Sequence, residues 1–361
     1  MAEERNMVGL SLDLIIHPGE TLAEVIEDRG MSQRELATRT GMTEKHISTV
    51  VHGQKNISAV FARKLEYALG IEAAFWMNLQ ANYDRELLEY EEANSVEEQE
   101  LSVLDKLKDV INLWASLGWI RREIDRISLL IQLRMLLGIS NLLDIPKVPY
   151  TAAYCAQMRN IPVDPYILFA WQRTCELTTQ GVEVSGEVDI DKLRTRIPEI
   201  KQVMFAGTGQ IQKKLADVFS ECGIAFGVVP GFEGAPVQGF VKSTGKGSLI
   251  LCVTLRQKYA DVFWFTLFHE VAQIINGDTD RVFVDLYSAS GASEVKADAV
   301  ACDFLIDSSE YSAFVDMEEY RKPGAIENFA KLQRVQEYIV RGRLLREKRI
   351  SWNDRPKYEW A

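Results

Sequence analysis

The stretch SQRELATRTGMTEKHISTVVHG, residues 32–53, constrains the fold more than any other part of the chain. Ser32 can cap a helix containing Leu36 and Ala37, Gly41 and Met42 can make a tight turn, and Thr43 can cap a second helix whose Ile47 and Val50 face the first. That spacing gives two short helices crossing over one small core. In such a motif the N-terminal part of the second helix enters a major groove while the first crosses the phosphate backbone. The expected base-facing residues are Glu44, Lys45, His46, Ser48 and Thr49, on a helix beginning at Thr43. Gln33, Arg34, Lys55 and Asn56 are expected toward phosphates. The blander reading is a helical hairpin that only holds a protein partner, and the slight acidity of the surrounding segment keeps it open.

A chain of 361 residues is longer than one ordinary domain. Its 47% hydrophobic and 26% charged content is that of a folded globular protein. A net charge of −11 argues against a general polyanion binder, so any DNA contact has to be made by a local surface. No run approaches the roughly 18 consecutive apolar residues of a membrane span, and the start, MAEERNMVGL, is too acidic for a signal peptide. A cytoplasmic protein without membrane contact is expected. Cys155, Cys175, Cys222, Cys252 and Cys302 are odd in number and widely spaced, without a CxxC pair. They read as reduced and mostly buried, not as a disulfide framework or a thiolate zinc site.

Residues 17–85 read as several short amphipathic helices ended by Gly30, Gly41, Gly53 and Gly70. The segment EYEEANSVEEQE, residues 89–100, holds six glutamates and reads as a solvated helix face or linker. Leucine-rich runs broken by Gly118, Gly138, Pro146, Pro149, Pro162 and Pro165 then suggest a helical connecting region. From about residue 210 a helix leads into short apolar strands, IAFGVVP, GFVKS and SLILCVTL. The expected fold class is mainly α with an α+β C-terminal domain carrying a small sheet. The expected division is residues 1–88, 89–200 and 201–361.

A second constellation lies in DVFWFTLFHEVAQIINGD. Two histidines at i and i+4 on one helix can bind zinc while an intervening glutamate activates water. Here His269 and Glu270 are present, but Gln273 occupies the second histidine position. The later segment SEVKADAVACDFLI supplies Glu294 as a candidate third ligand, with Asp298 one turn on to orient a ligand.

The segment from HPGETLAEVIEDRG to FWMNLQANYD resembles the HigA-type antitoxins of the Xre helix-turn-helix superfamily. The resemblance rests on the HPGE start, the SQxELA helix, the HG-K-IS turn and the ALG…FWxNLQxNYD close. It implies a lambda-repressor-like fold and a homodimer on a palindromic operator, commonly its own promoter. It also implies an RNase toxin as a frequent partner. The C-terminal part resembles the ImmA/IrrE metallopeptidases through FWFTLFHE, the ExxAD-xxA-xDFLI helix and the tail IVRGRLLREKRISW, which implies a zincin-like domain. There a carboxamide replaces an imidazole ligand, and the chain's four histidines, His17, His46, His52 and His269, include no nearby substitute. Three readings compete: a pseudoenzyme kept for sensing or dimerisation and carrying no cofactor; an unusual zinc site built from His269, Glu294 and Gln273, with Glu270 as catalytic base; and an active enzyme disabled by a His-to-Gln change.

Overall fold

The computed structural model describes residues 12–121, 124–148, 163–255, 259–277, 283–286 and 292–351. The N-terminal decapeptide, Pro149, Cys155, Pro162 and Trp352, all invoked above, lie outside these. The chain divides into two compact units, Met1–Asp105 with Trp114–Ser140, and Lys106–Leu113 with Asn141–Ala361.

In the first unit, α1 (Pro18–Asp28), α2 (Gln33–Thr40), α3 (Glu44–Val51), α4 (Ala59–Leu69) and α5 (Ala73–Asn94) form the N-terminal bundle. Side chains one residue before the first turn set their starts. The Ser32 hydroxyl accepts from the Glu35 amide at 3.1 Å and the Thr43 hydroxyl from the His46 amide at 3.1 Å, each satisfying a helix donor that has no partner of its own. Gly41 closes α2 in a left-handed conformation, φ 60°, that a side chain would oppose. Leu36, Ile47, Val50, Phe61, Leu65 and Trp76 are fully buried in one shared core. Burial of each such side chain is worth about 1.5–3 kcal/mol.

The seating of α1 explains the motif that precedes it. His17 caps the helix, its Nδ1 accepting from the Gly19 amide at 2.9 Å, and Pro18 takes the first helical position, where no amide is needed. Gly19 lies so close to α3 that a Cβ there would stand 1.9 Å from the Val50 carbonyl oxygen. Only glycine permits this contact.

Two further helices of this unit, α6 (Glu98–Lys106) and α8 (Arg126–Leu137), flank α7 (Lys108–Ser116) in sequence. Most of residues 89–100 form the solvated helix face expected, with Glu89, Glu91, Glu97 and Glu98 exposed, but Glu100 is an exception. Glu100 is 1% exposed, and the Arg134 guanidinium donates to it at 2.9 Å through Nε and to Glu92 at 2.8 Å through Nη1. The segment Arg126–Lys147 is apolar enough by composition to be weighed as a membrane span. Its helix, however, is 12 residues long and ends at Gly138, too short for the roughly 20 residues a bilayer needs, and carries the paired Arg134.

The second unit is mixed. Its helices α9 (Pro165–Thr179), α10 (Ile190–Gln202) and α11 (Thr208–Ser220) precede β1 (Ile224–Pro230), β2 (Val237–Ser243) and β3 (Leu249–Leu255). Then come α12 (Ala260–Ile275), β4 (Phe283–Leu286), α13 (Ala292–Leu305), α14 (Ser308–Asp316), α15 (Ala325–Gln333) and α16 (Glu337–Arg346). Among the described residues four strands lie in the order β1-β3-β2-β4, with β1 parallel to β3 and both other pairings antiparallel. The three strands read from sequence are joined by β4, whose four residues are too few to reveal a period of two. Helix α12 is the hub of the core: Trp264, Leu267, Phe268 and Val271 are fully buried in a cluster that includes Leu251 and Val253 of β3 and Val340 and Leu344 of α16. The half-buried Lys201 ammonium donates to the last carbonyls of α13 and α15, Leu305 at 2.9 Å and Gln333 at 3.1 Å, completing helix ends whose carbonyls lack donor partners. Cys175, Cys222 and Cys252 are buried and Cys302 half-buried, none of the four in a disulfide.

Candidate functional site

The outer surface of α3 is set by what its inner surface must do. Ile47 and Val50 point into the core, which turns Glu44 and Lys45 to solvent and leaves Ser48 and Thr49 half-buried at the edge. Thr43 is exposed at the helix start. The Thr49 hydroxyl donates to the His46 carbonyl at 2.9 Å, within its own helix. Arg34 on α2 is exposed and pairs loosely with Glu44, Nε to Oε1 at 3.3 Å, while Gln33 is half-buried. Lys55 and Asn56 are exposed in the turn after α3. Residues 31–71 carry six lysines and arginines against three glutamates, so the acidity of the wider segment comes from α1 and α5. This local positive balance sits in a chain of net charge −11.

His46 departs from expectation. Its ring packs edge-on against Phe61, centroids 4.9 Å apart, and its Nδ1 lies 3.1 Å from Lys55 Nζ, so the imidazole faces inward and accepts from the lysine. A residue read as aimed at bases is half-buried because α4 brings an aromatic ring beneath it. Asn56, also read as a phosphate contact, spends part of its exposed amide on Asp84, donating at 3.3 Å.

Burial, followed by repulsion from Lys55 and Lys64, lowers the proton affinity of His46 below the usual histidine value. Burial also lowers that of His17, against opposing help from Asn56, Glu20 and Asp84. A base that binds protons less well folded than unfolded gives stability that is complete above the unfolded value near 6.5 and is lost as the pH falls through 6.5 toward the folded value. The first unit is therefore expected to melt progressively lower between pH 7 and pH 5, a window in which ordinary carboxylates stay ionised. A flat melting temperature across that window would show that these rings do not carry the effect.

The helix-turn-helix family HTH_3 matches residues 22–76. Virulence-associated protein I of Dichelobacter nodosus is 35% identical over 75 residues, 20% of this chain and 69% of that protein. Through this N-terminal domain the chain belongs to the helix-turn-helix family. Virulence-associated protein A' of the same organism is 33% identical over 69 residues, 19% of the chain and 60% of that relative. Among solved structures, a HigA-family addiction module antidote protein from Coxiella burnetii is 28% identical, covering 27% of this chain and 90% of that one, with a TM-score of 0.19. The Pseudomonas aeruginosa antitoxin HigA with the higBA promoter is 30% identical over 23% of this chain and 96% of that one, with a TM-score of 0.21. The helix-turn-helix match accounts for α2 and α3 and stops short of the His17 cap and of Gly19.

In the second unit, α12 and α13 bring His269, Gln273, Glu294 and Asp298 together. His269 Nδ1 lies 2.9 Å from Asp298 Oδ1 and its Nε2 lies 3.1 Å from Glu294 Oε2. Gln273 Nε2 stands 3.0 Å from His269 Nε2 and 3.3 Å from each Glu294 oxygen. Burial works against the charge of Asp298, but the hydrogen bond from His269 and the nearby Arg346 outweigh it and hold its carboxyl below the usual range. Glu270 is fully buried against β2, where a Cβ on Gly239 would stand 1.8 Å from its Oε1. Sequence reasoning passed over Gly239, although a glycine inside a strand is itself a signal of close approach.

The residues fit zinc poorly. A catalytic zinc takes three protein ligands and an open position. Here the group facing both His269 and Glu294 is the Gln273 amide nitrogen, which has no lone pair to give. Among the described residues no three His, Cys, Asp or Glu side chains are grouped to hold a metal ion.

Proposed function

We propose that this chain is a DNA-binding transcriptional regulator of the repressor or antitoxin type. Its helix-turn-helix domain binds a two-fold operator as a homodimer, and its C-terminal unit is a metallopeptidase-like, non-catalytic module that senses a signal or engages a partner. An RNase-type toxin is the protein partner this reading implies. The observation that carries it is the division of α3 into a locked inner face, Ile47 and Val50, and an outer face headed by exposed Glu44 and Lys45, within the family-matched residues. One such helix reads only a half-site, so two copies about one DNA turn apart are needed. Selection of the full-length protein on random-sequence DNA is expected to enrich a palindrome with half-sites about 10 bp apart centre to centre. Sedimentation is expected to give a dimer at micromolar concentration. Failure to enrich any sequence would remove the regulator assignment, and a monomer both free and on DNA would remove the palindrome.

The alternative, a zinc-dependent endopeptidase acting on a repressor or on itself, draws on the approach of His269 and Glu294 within 3.1 Å and on the retained Glu270. The amide nitrogen between the two candidate ligands weighs against it.

A further inference from the structure

We infer that the Gln273 carboxamide does, without a metal, the mechanical work of a cation: it holds the His269 imidazole and the Glu294 carboxylate against each other and so clamps α12 to α13. The inference deepens the reading of the C-terminal unit as a non-catalytic module and rests on it. Asp298 is a carboxylate that can only accept, and His269 Nδ1 lies 2.9 Å from it, so Nδ1 carries a proton and, in the neutral ring, Nε2 presents a lone pair. That lone pair faces Glu294 Oε2 at 3.1 Å, a second acceptor. Two acceptors so close repel each other unless an electron-poor group satisfies both. A metal would do so by taking both lone pairs. Gln273 Nε2, 3.0 Å from the imidazole nitrogen and 3.3 Å from both carboxylate oxygens, does so with its two N–H bonds. Turning the carboxamide over would place a third acceptor among the first two, so the neighbours select the donor orientation.

The clamp extends beyond this pair. Asp298 Oδ2 accepts from Arg346 at the end of α16 at 3.2 Å, and the Arg346 guanidinium lies 4.4 Å from the centre of the Phe265 ring, one turn before His269 on α12. Three helices are thus joined through one imidazole, one carboxamide, two carboxylates and one guanidinium. A zincin-type helix pair that gives up its metal would otherwise bring bare acceptors together, and the glutamine supplies the missing donors at the same position.

The test uses the full chain, labelled with nitrogen-15 at its four histidines. His269 is expected to carry its proton on Nδ1 with Nε2 bare, and neither EDTA nor one equivalent of zinc should change its signals. Protonation of both nitrogens, or one zinc per chain retained through gel filtration, would overturn the clamp. Gln273→Met keeps the length of the side chain and removes both donors. It is expected to lower the melting temperature by about 3–10 °C and to shift the His269 signals while operator binding persists. Unchanged melting and unchanged His269 signals in that variant would equally overturn it. Gln273→His should take up one zinc per chain, reversibly with EDTA, and failure to do so would show that His269 and Glu294 are not held at ligand spacing. Loss of operator binding in native protein would sink the regulator reading and leave the clamp standing.

Discussion

A Lys45→Ala, Thr49→Ala double variant loses its preference for operator over random DNA by about two to four orders of magnitude. The two residues lie one helical turn apart on α3, so on the proposed reading they reach neighbouring base pairs from the same face, and Ile47 and Val50 fix the rotation of that face by filling the core. A base contact is worth about 1–3 kcal/mol of discrimination, and contacts at separate positions add roughly. Neither side chain ties α3 to another element: Lys45 is exposed, and the hydroxyl of the half-buried Thr49 bonds within its own helix. The melting curve should therefore stay that of the parent protein, which separates lost recognition from lost structure. Glu91→Ala, far along α5, serves as the control and should bind as the parent does. A double variant that protects the selected operator from cleavage as well as the parent would place the recognition surface elsewhere.

Arg134→Met is expected to destabilise the first unit by about 3–5 kcal/mol. The substitution keeps most of the volume of the side chain and removes the guanidinium from Glu100, a carboxylate 1% exposed that cannot recover its hydration. The loss arises from the stranded charge more than from the pair itself, since two buried ions are costly to dehydrate in the first place. Pairing Arg134→Met with Glu100→Met should accordingly restore most of the stability. Denaturant titration measures both. A single variant within about 1 kcal/mol of the parent would mean that Glu100 is solvated in solution, and a double variant as unstable as the single would locate the loss in packing instead.

These two cases mark where the sequence could be read and where it could not. Ser32 and Thr43 were legible because a cap acts over three residues, and Ile47 with Val50 because their spacing places both on one side of α3. His46 was misjudged: the direction of its ring depends on Phe61, a residue of α4 that no local pattern ties to it. Glu100 failed for the same reason in a harsher form. Its acidic neighbourhood suggested water, and only α8, carrying Arg134 from 34 positions away, makes burial tolerable. The grouping of His269, Gln273, Glu294 and Asp298 was suggested by motif spacing on two helices, and the fold brings all four within hydrogen-bonding reach. What spacing could not supply was the direction of the Gln273 amide, which is decided by the lone pairs around it.

The seat of α1 on α3 also bears on how this domain could be excised or transplanted. The helix-turn-helix match begins at residue 22, yet the carbonyl end of α3 rests against Gly19 and the imidazole that starts α1. A fragment cut at the boundary of the matched motif would keep all of α3 and discard the part of α1 that its carbonyl end packs against. The smallest portable form of this domain therefore keeps His17, Pro18 and Gly19, which the matched motif leaves out.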